Sequence, residues 1–160
     1  MKSSDVISLI ALVFSIISGA ISLLAYIKSI KRQKIIDTIE AYRTLQSEVL
    51  DKFVSYKKSD VLTLLENLDE PKIKEAYDDC RAMVAKIEHF AVGVNHNIYD
   101  LKTTDKLGGV HLIYLFGRVE PLINHIRNLQ DESERPFYCE FEKMINTLSE
   151  NHPECVFKKI

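Results

Sequence analysis

The sequence predicts an all-α protein in which an N-terminal transmembrane helix continues into a cytoplasmic bundle of four to five helices. Three observations carry this. The run from Val6 to Ile27 holds no charged residue. Beyond it, apolar residues recur at steps of three and four rather than two. Neither glycine nor proline occurs between Gly19 and Pro71, so the first helix has no reason to stop at the membrane surface. The organisation that follows is an anchor over 1–30 and a helical bundle over 31–160.

The anchor is justified by length. At about 1.5 Å per residue, the run from Val6 to Ile27 reaches about 33 Å, enough for a hydrocarbon core of roughly 30 Å. A cleavable signal peptide would carry a shorter apolar region behind a basic start, whereas only Lys2 precedes this one. Lys28, Lys31, Arg32 and Lys34 follow at once and are expected at the membrane interface. Because the leader is balanced by Lys2 and Asp5, the positive-inside rule puts the N-terminus outside and the C-terminal domain in the cytoplasm.

Small residues within the anchor fall at Ser8, Ala11, Ser15, Ser18, Ser22, Ala25 and Ser29, alternating steps of three and four. Lipid tails solvate leucine as well as a second helix does, so membrane helices associate through close backbone approach and hydroxyl hydrogen bonds. The stripe is therefore expected to be a helix seam or pore lining in a homo-oligomer, with membrane lipid facing the large apolar residues.

Further along, Ile35, Ile39, Tyr42, Leu45, Val49, Phe53 and Tyr56 mark one apolar face. A short helix is expected from Ser59-Asp60 to Leu68. The next should open at Asp69-Glu70-Pro71, a capping acid before a first-turn proline, and run through Ile73, Tyr77, Cys80, Val84, Ile87, Ala91 and Val94. A polar link is expected from Asn95 to Gly109, with Asp100 and Thr103-Thr104-Asp105 as turn and cap signals. Leu112, Leu115, Val119, Leu122, Ile126 and Leu129 then trace a helix that Pro121 should kink near residue 117. Its apolar start, Val110 to Phe116, is too short for a second membrane pass. The charged loop from Asp131 should end at Pro136 as a helix start, with Phe137, Phe141, Met144, Ile145 and Leu148 as the apolar face, stopped by Asn151-His152-Pro153.

Composition excludes several function classes. A formal charge of −2 argues against DNA binding by bulk electrostatics. Cys80, Cys139 and Cys155 have no close partner in sequence, and the five histidines form no metal-ligand motif, so neither a metal nor a cofactor is expected. No phosphate-binding glycine loop or nucleophile elbow is present.

One arrangement suits chemistry. Arg118 lies seven residues before His125, two turns along one helix face, and an arginine for phosphate with a histidine for proton transfer suits RNA cleavage. This spacing resembles the motif of HEPN ribonucleases, helical bundles that pair two such motifs by dimerising. Val119 stands where those motifs carry a polar residue, and Pro121 interrupts the pair, so the reading leans away from an enzyme. Glu88 and Arg127 read as an interhelical ion pair, and Asp100 as a loop cap.

Glu88-His89-Phe90, Gly93, Tyr99-Asp100, Gly108-Gly109, Pro121, Arg127 and Tyr138 to Phe141 resemble the pattern of an uncharacterised bacterial family of short single-pass membrane proteins. The layout of membrane helix plus small HEPN-like domain also resembles the membrane accessory protein of type VI-B CRISPR systems. That resemblance implies an oligomeric membrane pore acting as accessory or effector in antiphage defence, with an RNA-guided effector as partner. A membrane-tethered HEPN-type ribonuclease is the second reading, and a tethered adaptor without activity the third.

Overall fold

A computed structural model describes residues 3–53, 56–130 and 136–155, with the side chains of 3–9 and 11 excluded. The described residues are mostly helical and include no strand. Helix α1 spans Ser3–Leu45, passes through a π-helical turn, Gln46–Leu50, and closes with Asp51–Phe53. Then come α2 (Lys58–Glu66), α3 (Pro71–Asn95), α4 (Leu101–Asn128), α5 (Cys139–Asn151) and a 3-10 turn, Pro153–Cys155. The chain divides into two compact units, Met1–Ile36 and Asp37–Ile160.

The first unit is a single helical segment. Every described side chain from Leu12 to Gln33 is exposed, including Phe14 at 66% and Leu24 at 68%. Ser15, Ser18, Ser22 and Ala25 share this exposure, as do Lys28, Lys31 and Arg32, while Lys34 is half-buried. The side chains of Ser8 and Ala11 lie outside the described residues. Among those described, this is the one helix long and apolar enough to cross a membrane.

The second unit is the bundle. Tyr42, Leu45, Val49 and Phe53 are buried as the periodicity predicts, and Leu50 joins them. The π-turn explains the addition: one extra residue per turn brings both Val49 and Leu50 onto the core side. Ile35, expected on the same face, is 42% exposed. Helix α3 packs against α5, and α4 packs against both α2 and α5. Ile87, Leu112, Leu115, Leu122, Phe141, Met144 and Leu148 fill the space between them. Phe116 meets Phe141 edge-on at 5.1 Å.

Several local details differ from expectation. Helix α3 opens at Pro71 as predicted, but its N-cap Glu70 makes no side-chain cap bond, and Pro71 occupies a position whose N–H is unneeded. The link after α3 is shorter than Asn95 to Gly109, because Asp100 caps α4 directly. Its carboxylate accepts the Thr103 N–H at 2.7 Å and the Thr103 hydroxyl at 2.6 Å. Helix α4 stays helical through Gly117 and Pro121 and departs instead at Gly108 (φ −178, ψ 32). There the Tyr42 hydroxyl lies where a β-carbon would sit, so the bend falls where another side chain needs the space. Finally, α5 begins at Cys139 rather than Pro136, leaving Phe137 44% exposed. The loop residues 131–135 lie outside the described residues.

Candidate functional site

Arg118 and His125 share α4 but not an environment. The Arg118 guanidinium Nη1 lies 3.4 Å from the carbonyl oxygen of Tyr56, before α2. His125 stands edge-on to the Tyr77 ring of α3 at 6.0 Å. Val119, between them in sequence, is fully buried. The two side chains thus contact different parts of the bundle, Arg118 the segment before α2 and His125 helix α3.

The expected Glu88–Arg127 ion pair is replaced by a clamp. Glu88 on α3 accepts the backbone N–H groups of Glu140, at 3.1 Å, and Phe141, at 2.6 Å. These are orphan donors of the first turn of α5, where a carboxylate also complements the helix dipole. Arg127 on α4 donates from Nε to the Phe137 carbonyl at 2.9 Å and from Nη2 to Glu142 at 2.8 Å. Asn95 adds bonds to the Glu140 carbonyl and carboxylate at 2.8 and 2.7 Å, accounting for a glutamate only 8% exposed. Three side chains from α3 and α4 thus hold Phe137–Glu142, and Tyr138 at their centre adopts the left-handed conformation with φ 60. A bulky residue stays there only when its surroundings over-determine it.

Beside the clamp, a cleft of about 610 Å³ opens between α3 and this segment, with Asp78, Arg81, His89, Tyr138 and Cys139 in its walls. Burial pushes the Tyr138 hydroxyl up, while its hydrogen bond with Arg81 pulls the other way. Of the carboxylates lining the cleft, Glu88 and Glu140 are committed to the clamp. A smaller hollow of about 360 Å³, also lined by His89, lies over Ala41, Leu45, Phe90 and Tyr99. Phe90 and Tyr99 stack at 5.3 Å, and Gly93 leaves room for the Tyr99 ring. At its rim Lys86 meets Glu48 at 2.6 Å and holds that carboxyl below its usual range.

The scattered positions Glu88, Phe90, Gly93, Tyr99, Asp100, Gly108, Arg127 and Tyr138 therefore do structural jobs in this unit. Asp100 is anchored further by its N–H, which donates to the buried Thr38 hydroxyl at 2.7 Å. Of the three cysteine side chains, Cys80 and Cys155 are buried and Cys139 is half-buried. No group of His, Cys, Asp and Glu suited to a metal ion occurs among the described residues.

One constellation has no signal in the sequence. His152 reaches Asp105, far back on α4, with Nε2 to Oδ1 at 2.6 Å, and faces Glu154 with Nδ1 at 3.4 Å. Asn151 donates to the other Asp105 oxygen at 3.1 Å. The sequence marks His152 only as a helix stop before Pro153.

A family described as a domain of unknown function, DUF4760, matches residues 6–148. No curated protein and no solved structure matches the chain.

Proposed function

We propose that this chain, which belongs to the DUF4760 family, is a single-pass membrane protein that assembles through its N-terminal helix and presents its bundle to the cytoplasm. The supporting observation is that the large apolar side chains from Leu12 to Ile30 are all exposed, between 42% and 68%. Transfer of about ten such side chains from water to lipid is worth on the order of 15–30 kcal/mol, more than the whole stability of an ordinary domain. Lipid or another copy must cover them. Lys28, Lys31 and Arg32, exposed on one flank, support a cytoplasmic location for the residues that follow.

Association is assigned to the face bearing Ser15, Ser18, Ser22 and Ala25, where backbones approach closely and hydroxyls bond across helices. In its fuller form this reading makes the assembly a pore lined by those hydroxyls, serving as accessory or effector in antiphage defence beside an RNA-guided effector. The small-residue heptad supports the pore, and the architectural resemblance supports the setting. Catalysis is not part of the proposal, because Arg118 and His125 face different neighbours.

The test replaces Ser15, Ser18 and Ser22 together with leucine. Insertion is retained because hydrophobicity rises, while oligomer size in detergent falls and ion leakage from reconstituted vesicles drops. Replacing Leu12, Ile16 and Leu23 with other large apolar residues leaves both unchanged. Assembly and leakage that survive the serine substitutions would overturn the seam.

A further inference from the structure

His152 sits between two carboxylates contributed by different elements. Asp105 belongs to the first turns of α4, just before the departure at Gly108, and Glu154 belongs to the turn Pro153–Cys155. The Nε2–Asp105 distance is 2.6 Å and the Nδ1–Glu154 distance is 3.4 Å, so both ring nitrogens face a carboxylate oxygen. Only the imidazolium donates from both nitrogens; neutral imidazole has one N–H and one lone pair. Asp105 is itself held in place: Asn151 takes its second oxygen, and its carboxylate lies where a β-carbon on Gly109 would stand. Glu154, by contrast, has a side chain 68% exposed.

We propose that His152 is a proton-operated latch, which as imidazolium ties the C-terminal turn to α4 through Glu154 and Asp105 and on losing one proton lets Glu154 go. The remaining proton stays on Nε2, where the shorter bond to the more buried Asp105 holds it. The Nδ1 lone pair then faces the Glu154 carboxylate, and repulsion sends that exposed side chain to water. The turn then relies on the Cys155 N–H bond to the His152 carbonyl at 2.9 Å and on burial of the Cys155 side chain, and without the Glu154 tie that N–H bond opens more often.

Among the described residues, α4 and α5 pack against this turn. The charged group facing His152 from α4 is Asp105; α5 supplies the neutral Asn151 amide; the turn supplies Glu154, with the Cys155 thiol 3.9 Å from its carboxylate. The Asp105 hydrogen bond, then its charge and the Glu154 bond, push the imidazole above its ordinary value. The latch is therefore closed at mildly acidic pH and opens as pH rises through that raised value.

The experiment uses the full chain in detergent micelles, following the His152 ring nitrogens by NMR from about pH 5 to about pH 9. Exchange protection of the Cys155 amide, corrected for the intrinsic pH dependence of exchange, is measured over the same range. In the native chain, His152 titrates above the free-imidazole value, and Cys155 protection falls several-fold across the same transition. Glu154→Gln lowers the midpoint, and Asp105→Asn lowers it further. His152→Gln keeps one amide donor for Asp105 but cannot titrate, so its Cys155 protection is flat with pH. A native midpoint at the free-imidazole value, or an equal fall in protection in His152→Gln, overturns the latch. Far-ultraviolet dichroism confirms that each variant keeps its helices, so loss of fold is not read as release.

Discussion

Substitution of Glu88 tests whether α5 is started by a residue on another helix. The Glu88 carboxylate accepts two backbone N–H groups, at 3.1 and 2.6 Å, in a half-buried position beside the cleft. Hydrogen bonds to a charged group contribute about 1.5–3 kcal/mol each, and a carboxylate at a helix N-terminus adds about 0.3–1 kcal/mol. Glu88→Ala removes all of this, but water entering from the open cleft restores part, leaving a net loss of about 3 kcal/mol. For a unit the size of Asp37–Ile160 that corresponds to a melting-temperature drop on the order of 10 °C. Glu88→Gln keeps one oxygen for the shorter bond to Phe141 and turns an amide donor toward the Glu140 N–H, so its cost is about half. The measurement is thermal melting of the full chain in detergent, followed by circular dichroism, together with amide exchange at Glu140 and Phe141. If Glu88→Ala melted with the native protein, or if the glutamine variant fell as far as the alanine one, the capping argument would be refuted.

Two further outcomes follow from the same structure. Gly93→Ala drives a β-carbon into the Tyr99 ring, displacing it from its stack on Phe90 at a cost of about 1–3 kcal/mol, whereas Gly19→Ala meets nothing within 4 Å and leaves the bundle's melting unchanged. Bundle stability is expected to form a plateau in pH. His152 is raised from 6.5 by Asp105, so its contribution is complete below that value and is lost as pH rises through the raised one. Glu48 is lowered from 4.5 by Lys86, and Glu154 by its own backbone N–H and by His152, so their contributions are present above that value and are lost as pH falls through the lowered ones. Melting temperature against pH checks both edges, and His152→Gln should remove the alkaline fall, together with the His152 part of the acid one, while leaving the Glu48 contribution in place.

The sequence by itself determined the helical class, the long apolar helix at the N-terminus and most of the core. Those properties are written in local periodicity. Tyr77, Cys80, Val84, Ile87, Ala91 and Val94 must share a face of any helix they form, and that face must be buried in water. Asp100 was legible for the same reason, since its cap bond reaches only three residues along the chain. What only the tertiary structure decided are the places where a partner distant in sequence overrides a local signal. Pro136 marks a helix start, yet α5 begins at Cys139 because Glu88, more than fifty residues earlier, holds the N–H groups of Glu140 and Phe141. Pro121 marks a kink, yet α4 departs at Gly108, where Tyr42 needs the space. Glu88 and Arg127 have opposite charges and suggest each other, but each finds backbone groups of the same segment instead. His152 and Asp105 lie 47 positions apart, and no periodicity relates them. Hydrogen bonds between distant residues depend on where the bundle brings their helices, and that placement comes from the summed packing of the core, which no short stretch of sequence contains.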